Sequence, residues 1–163
     1  MSEWFSELKA KFILDFIEKQ RYIYIVDGLK ITFEVTLLSL FFGMLIGAVI
    51  AVIRTTHDQT REENKKGLGH MILGAADTVC RVYLTIIRGT PMMVQLLIIY
   101  FVIFQSVNIS KIVVAIIAFG LNSAAYLSEV IRSGIMSIDP GQFEAGRSLG
   151  LSFKVMMRSV ILP

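Results

Sequence analysis

Long apolar runs separated by short polar segments dominate this chain. Residues 35–53 carry no charged side chain, and the stretch from Gly28 onward extends this run toward the N-terminus. Two more largely apolar runs follow at residues 90–107 and 112–131. About 20 apolar residues in a helix are enough to cross the roughly 30 Å hydrocarbon core of a bilayer. The pattern therefore predicts an all-α, polytopic membrane protein with spans at about 28–53, 90–107 and 112–131.

The two polar segments nearest the N-terminus are expected to lie outside the hydrocarbon. Residues 1–27 mix charges with aromatic side chains such as Trp4 and Tyr24. This mixture suits either a helix at the membrane interface or a flexible tail. Residues 54–70 are rich in charges of both signs and are predicted to form a solvated connector.

A third interruption follows the connector. Residues 71–87 are mostly apolar but contain Asp77 and Arg81, so we predict a helix that approaches the membrane without crossing it. A Gly-Thr-Pro sequence then breaks the helix, because proline cannot continue it. Thr90 is expected to cap the second span, and Pro91 to occupy its first turn.

Small residues recur every four positions in the first span, at Gly43, Gly47 and Ala51. Residues four apart lie on one face of a helix. Small residues on one face let two helices approach closely in lipid, where packing drives their association. We interpret this strip as a helix-packing surface.

The polar segment at residues 137–152 carries signals for a short helix. Asp139 is a good N-cap, Pro140 suits the first helical position, and Gln142 completes a capping box. Gly150 can adopt the left-handed conformation that ends such a helix. A helix from Pro140 to the residue before Gly150 is about 15 Å long, which is too short to cross a bilayer.

The third span has a polar face. Asn122, Tyr126 and Glu129 lie three or four residues apart and therefore share one side of the helix. Polar groups at membrane depth usually face protein or a wet cavity, so these residues are candidates for a translocation path. Alternatively, Glu129 pairs with Arg132 one turn away. Arg88 is either an interfacial anchor or part of an inner gate.

Composition narrows the classes of function. The chain is 55% hydrophobic and has a formal net charge of only +3, which gives little support to nucleic-acid binding. Cys80 is the only cysteine, so we expect neither an internal disulfide nor a metal cluster. His57 and His70 are interpreted as solvated side chains of the connector. The sequence contains no phosphate-binding loop and no catalytic set, so ATP binding, catalysis and a cofactor are not expected of this chain.

Three motifs in the second half resemble a known family. Glu144 and Ala145, then Gly150, then VILP at residues 160–163 resemble the EAA loop of ABC importer permeases. That loop reads Glu-Ala-Ala, three residues, Gly, nine residues, then Ile-x-Leu-Pro. The chain departs from it at Gly146 and Val160. Residues 88–96 (RGTPMMVQL) and 125–135 (AYLSEVIRSGI) resemble the branch of that family that transports polar amino acids.

The resemblance, which covers residues from about 85 to 163, implies a function. The fold would be a partial permease bundle, with residues 28–163 as its membrane domain, 137–152 as a cytoplasmic coupling loop and 153–163 as the start of the next span. Family members continue with further spans, so we expect the chain to be part of a longer permease.

The resemblance also implies roles and partners. A dimer of separate ATPase subunits would hydrolyse ATP and drive alternating access, beside a second permease subunit of the same or a related sequence. An extracytoplasmic solute-binding protein would deliver a polar amino acid. The expected contacts with the ATPase are Glu144, Ala145, Gly146, Leu149 and Gly150. The expected path or gate residues are Arg88, Asn122, Tyr126 and Glu129.

Loop charges predict the orientation. By the positive-inside rule, the basic connector at residues 54–70 and the basic residues flanking the coupling loop lie in the cytoplasm of a bacterium. The N-terminus then lies outside the cytoplasmic membrane, although basic residues near it argue the other way. Two rival functions remain: an ion-coupled secondary transporter with Glu129 as proton carrier, and a membrane scaffold that transports nothing.

Overall fold

The computed structural model describes residues 2–18, 20–62 and 67–161, and every element in these ranges is helical. The helices are α1 (Ser2–Phe12), α2 (Tyr22–Glu62), α3 (Leu68–Gly89), α4 (Met92–Ile98), α5 (Lys111–Met136), α6 (Pro140–Ser148) and α7 (Phe153–Met156). Wider π-helical turns continue α1, α4 and α7 over Ile13–Glu18, Ile99–Ile103 and Met157–Ile161. The all-α prediction is therefore confirmed.

α2 and α5 form the central pair, and they run parallel to each other. A Cβ atom added at Gly43 would lie 2.7 Å from Cβ of Ser123. One added at Gly47 would lie 2.9 Å from the carbonyl oxygen of Ala124. Ala51 is fully buried. The small residues thus allow the backbones to meet, which confirms the predicted packing strip.

α3 and α4, which connect α2 to α5 along the chain, run in the opposite direction to both. Along α3, Asp77 contacts Arg54 of α2, whereas the later residue Leu84 shares a buried cluster with the earlier Ile50. Along α4 and its π-helical extension, Ile99 packs with Val114 and Ala118 near the start of α5. Since α2 and α5 are parallel, α3 and α4 together return the chain to the end of the bundle where α2 began.

Among the described residues, three helices are long and apolar enough to cross a membrane, namely Tyr22–Asp58, Leu68–Gly89 and Lys111–Met136. The apolar helix Met92–Ile103 is shorter. The predicted second span therefore corresponds to the shorter helix, while the segment expected only to approach the membrane belongs to a helix of crossing length. Which segments lie in lipid stays a prediction.

The first span is longer at its C-terminal end than the sequence predicts. α2 continues to Glu62, through residues expected to form a connector. The reason is that Arg54 and Asp58 are neutralised by side chains on other helices, so the helix remains favourable there. Residues 63–66 of the predicted connector lie outside the described residues, as do residues 162–163 of the predicted next span.

The break between α3 and α4 is held by one buried amide. Thr90 ends α3 rather than capping α4, and its hydroxyl donates to the carbonyl oxygen of Ile86 at 2.8 Å. The amide nitrogen of Gln95, which is 6% exposed, lies 2.9 Å from the Thr90 carbonyl oxygen and 2.7 Å from its hydroxyl. Gln95 therefore secures the extended backbone at the break.

α6 forms much as the sequence predicts. The Asp139 carboxylate accepts a hydrogen bond from the Gly141 amide at 2.7 Å, and Pro140 begins the helix. The last helical residue is Ser148, and Gly150 follows with φ of 74°. The predicted N-cap and the predicted left-handed glycine are both confirmed.

The N-terminal segment is helical over most of its length. Aromatic side chains of α1, including Trp4 and Phe5, are exposed. This favours the helix over the flexible tail. Its position at a membrane interface stays a prediction.

Candidate functional site

Eight ionisable side chains meet at the end of the bundle where α2 and α5 finish. We call this group the ionic cluster; it consists of Arg54, His57, Asp58, Asp77, Arg81, Arg88, Glu129 and Arg132. Three helices contribute to it, so it ties α2, α3 and α5 together.

Asp77 lies at the centre of the ionic cluster and is 3% exposed. Its carboxylate lies 2.7 Å from Nε of Arg81 and 3.3 Å from Nδ1 of His57. Nε of Arg54 is 3.7 Å away. A buried carboxylate is costly unless it is paired, and these neighbours offset that cost.

The other two carboxylates pair across α2 and α5. Asp58 accepts from Nη2 of Arg132 at 2.7 Å. Glu129 accepts a short hydrogen bond from Nη1 of Arg54, and Nη1 of Arg88 lies 3.6 Å from the same oxygen. In the described structure, the alternative pairing of Glu129 with Arg132 does not form, because each residue faces a partner on another helix.

A cavity of about 600 Å³ opens beside these pairs. We call it the arginine pocket; it is lined by Arg54, Arg81, Leu84, Thr85, Arg88, Gly89, Tyr126 and Glu129. The Arg88 guanidinium lies 5.7 Å from the centre of the Tyr126 ring, within the range of a cation–π contact.

Of the four residues predicted for a path or gate, the structure therefore places three in one pocket. The fourth, Asn122, lies next to the helix break instead. Its amide nitrogen is 3.4 Å from the side-chain oxygen of Gln95. Their role in a translocation path stays a prediction.

Sequence reasoning missed Arg54 and Arg81 as pocket residues and Asp77 as the centre of the ionic cluster. The sequence held one signal for this cluster. Asp77 and Arg81 lie four residues apart, on one face of an otherwise apolar helix, where they can pair. The interpretation of His57 as solvated was wrong, because His57 is largely buried beside Asp77. His70 is half-buried, and its imidazole ring stacks on that of His57 with the ring centres 6.0 Å apart.

The predicted coupling residues, which lie on α6 and in the turn after it, are exposed in four cases and buried in one. Glu144, Ala145, Leu149 and Gly150 are exposed, and Leu149 is 80% exposed. Gly146 is buried, and a Cβ atom added there would lie 2.7 Å from the Met156 sulfur. The departure from alanine at this position of the motif is therefore explained by contact with α7.

α6 lies at the same end of the bundle as the ionic cluster. A cavity of about 300 Å³ separates it from the end of α2. Thr55 and Asp58 line one side of this cavity, and Phe143, Glu144 and Arg147 of α6 line the other. Within the described ranges, no three His, Cys, Asp or Glu side chains are grouped so as to hold a metal ion.

These features define a class: a helical membrane protein with a broken helix beside its central pair and a short capped helix at one end of its bundle. The family is shown by comparison. Residues 68–163 match the family described as binding-protein-dependent transport system inner membrane component. The chain belongs to this family.

Named relatives agree with this assignment. The chain is 34% identical over 155 residues to a putative glutamine transport system permease protein of Rickettsia typhi, covering 94% of this chain and 63% of the relative. It is 34% identical over 142 residues to an arginine transport system permease protein of Bacillus subtilis, covering 86% and 58%.

A solved structure is also similar. A crystal structure of an amino acid ABC transporter with histidines superimposes with a TM-score of 0.72 at 35% identity. The match covers 91% of this chain and 63% of that one. The chain thus spans about three-fifths of the length of the relatives that it matches.

Proposed function

We propose that this chain forms part of the membrane-spanning permease subunit of an ATP-binding cassette importer for a polar amino acid. α6 is the contact through which a separate ATPase subunit drives transport. The observation that carries the proposal is the two-sided environment of α6. Its inner face packs against the chain, whereas its outer face presents residues of the motif to a partner.

The inner face of α6 joins it firmly to the rest of the chain. Phe143 packs against a buried cluster that contains Ile135 of α5, together with Met156 and Ile161. Gly146 lets α7 approach within contact distance. A movement of α6 would therefore also displace α5 and α7, because they pack against it.

The outer face is suited to a protein partner. Glu144 is exposed and offers a charge, although it also lines the cavity beside α2. Ala145 adds only a small side chain to this surface, and Leu149 exposes an apolar side chain at the end of the helix. An exposed leucine is not remarkable by itself. Its position beside the motif glutamate supports a docking surface.

The relatives support an amino acid as solute. Their names specify glutamine and arginine, and the similar solved structure is of an amino acid transporter. By the same reasoning, the partners are an ATPase dimer, a second permease subunit and an extracytoplasmic solute-binding protein. The protein lies in the bacterial cytoplasmic membrane, with the N-terminus outside and α6 in the cytoplasm.

The parallel course of α2 and α5 supports this topology. Suppose that α2, followed from its N-terminus, crosses the membrane from the outside to the cytoplasm. α3 and α4 then lead back to the outside, and α5 crosses to the cytoplasm again. α6 then lies in the cytoplasm, where an ATPase can reach it. The end of α2 lies there too, in agreement with the basic residues that follow it.

The rival functions have less support. A proton carrier would leave the exposed motif residues of α6 without a role, and its proposed carboxylate, Glu129, is paired with two arginines. A scaffold needs no pocket lined by charges between its helices. An ATPase-driven permease accounts for both the arginine pocket and α6.

The test is purification of the full-length permease after co-expression with candidate ATP-binding cassette subunits from the same genome. Unaltered permease should retain the ATP-binding protein, and reconstituted vesicles should show ATP-dependent amino acid uptake. Glu144→Lys should lose both, because the substitution reverses the charge on the exposed face of α6.

Glu7→Lys provides a matched control, since it makes the same charge change on the exposed face of α1. It should keep both the bound ATPase and uptake. The proposal is wrong if the unaltered permease retains no ATP-binding protein, or if Glu144→Lys transports normally.

A further inference from the structure

The ionic cluster carries one more positive charge than negative charge. Its carboxylates are Asp58, Asp77 and Glu129, whereas its guanidinium groups belong to Arg54, Arg81, Arg88 and Arg132. Among these seven side chains, three negative charges face four positive charges. An unbalanced charge between apolar helices is costly, so it requires a partner or access to water.

The excess charge is located at Arg88. Arg81 and Arg132 each lie 2.7 Å from a carboxylate oxygen, and Arg54 makes the short bond to Glu129. The described contact of Arg88 with a carboxylate is longer, at 3.6 Å, and the oxygen is already bonded to Arg54. Arg88 is therefore the arginine whose charge is least neutralised.

Arg88 is also open to a ligand. Its side chain is 43% exposed in the arginine pocket, compared with 12% for Arg54; Arg81 is 50% exposed but lies 2.7 Å from the Asp77 carboxylate. The Tyr126 ring supports one side of the guanidinium. Gly89 adds no side chain to the wall, and space around its Cβ position is open. A guanidinium held in this way can bind both oxygens of a carboxylate in parallel hydrogen bonds.

We propose that Arg88 binds a carboxylate of the transported solute in the arginine pocket, while Arg54 neutralises Glu129 and so prevents it from competing. This inference rests on the proposed function, because it names the group of the amino acid that the permease recognises. The cavity of about 600 Å³ is within the size range of small-molecule sites. The remainder of the solute lies toward Tyr126 and the helix break.

The test measures equilibrium binding to the assembled transporter in lipid nanodiscs, without the solute-binding protein. Two pairs of probes each differ by one carboxylate: arginine against agmatine, and glutamine against 4-aminobutanamide. Unaltered transporter should bind at least one amino acid about 10-fold or more tightly than its partner lacking the carboxylate, as expected for a charge-assisted contact.

Arg88→Gln should abolish this preference, so that the two dissociation constants become nearly equal. Arg88→Lys should keep part of the preference, because a lysine retains the charge but loses the planar pair of donors. Lys111→Gln removes the same charge from the exposed start of α5 and should leave the preference unchanged.

The outcomes separate this inference from the proposed function. If uptake depends on ATP but Arg88→Gln weakens binding equally for both members of each pair, the carboxylate site is wrong and the importer remains supported. If neither amino acid binds the unaltered, active transporter, the carboxylate site is likewise wrong and the importer remains supported. If the unaltered transporter shows neither ATP-dependent uptake nor a bound ATPase, the proposed function itself is wrong.

Discussion

Gly150→Val tests whether the turn after α6 sets the position of the coupling surface. Gly150 has φ of 74°, a conformation that glycine adopts freely and other residues resist. No atom lies within 4 Å of a Cβ atom added there, so valine would not collide with the described part of this chain. The cost of the substitution within the chain is therefore conformational.

Two hydrogen bonds depend on this conformation. The Gly150 amide donates to the Arg147 carbonyl oxygen at 2.9 Å, and the Leu151 amide donates to the Gly146 carbonyl oxygen at 3.0 Å. This pattern is the Schellman motif, in which a left-handed residue closes the helix. Leu151 then packs on the buried cluster that contains Met156. The turn thus links the end of α6 to the start of α7.

The expected magnitude follows from these contacts. A left-handed conformation costs an L-amino acid about 1–2 kcal/mol, and a β-branched side chain should lie at the upper end. That energy changes a local equilibrium by about 5- to 30-fold. It is too small to unfold the permease, but it is enough to favour another path from α6 to α7.

The assay compares three substitutions in the full-length permease. Gly150→Asn should be mildest, since asparagine tolerates the left-handed region, Gly150→Ala intermediate, and Gly150→Val most severe. Gly150→Val should insert in the membrane yet lose the ATPase and uptake. Gly134→Val is the control, because its Cβ position in α5 is equally open and its φ is not positive.

Two results would contradict this reasoning. Normal uptake by Gly150→Val would show that the turn does not position the coupling surface. Equal losses for Gly150→Asn and Gly150→Val would show that bulk against the partner matters rather than the backbone conformation. Retained ATPase can be quantified by co-purification, and uptake can be measured in reconstituted vesicles.

Two further predictions concern packing and topology. Gly43→Ala should lower the thermal stability of the detergent-solubilised permease by about 1–3 kcal/mol, since its Cβ position is 2.7 Å from a side chain of α5; Gly28→Ala, with open space, should have little effect, and equal melting temperatures would refute the close contact. In a background lacking Cys80, cysteine at Asn108 should react with an impermeant thiol reagent in intact cells, whereas cysteine at Gly67 should not; the reverse labelling would overturn the proposed orientation.

Local chemistry made several elements predictable. The cap at Asp139, the left-handed Gly150 and the small residues at Gly43 and Gly47 were all evident from residues within about two helical turns. Such signals depend on the hydrogen bonds and side-chain spacing of one helix, which do not change with the rest of the fold. The helical class and the position of α6 followed from them.

The partners of the charged residues could not be predicted in this way. Arg54 and Glu129 are 75 positions apart, and Arg132 lies within one turn of Glu129 yet pairs with Asp58. Which residues form these ion pairs depends on the rotation and axial register of α2 against α5. The register is set in turn by the close contacts at Gly43 and Gly47.

The sequence by itself therefore determined the all-helical class, the cap and terminal glycine of α6, and the presence of polar groups among apolar ones. Only the tertiary structure decided that α2 continues past Arg54, that Asp77 is buried among cations, and that Gly146 must be small because of Met156. The physical reason is that a charge within a helix is costly or favourable according to what faces it. That neighbour is decided by how the helices pack.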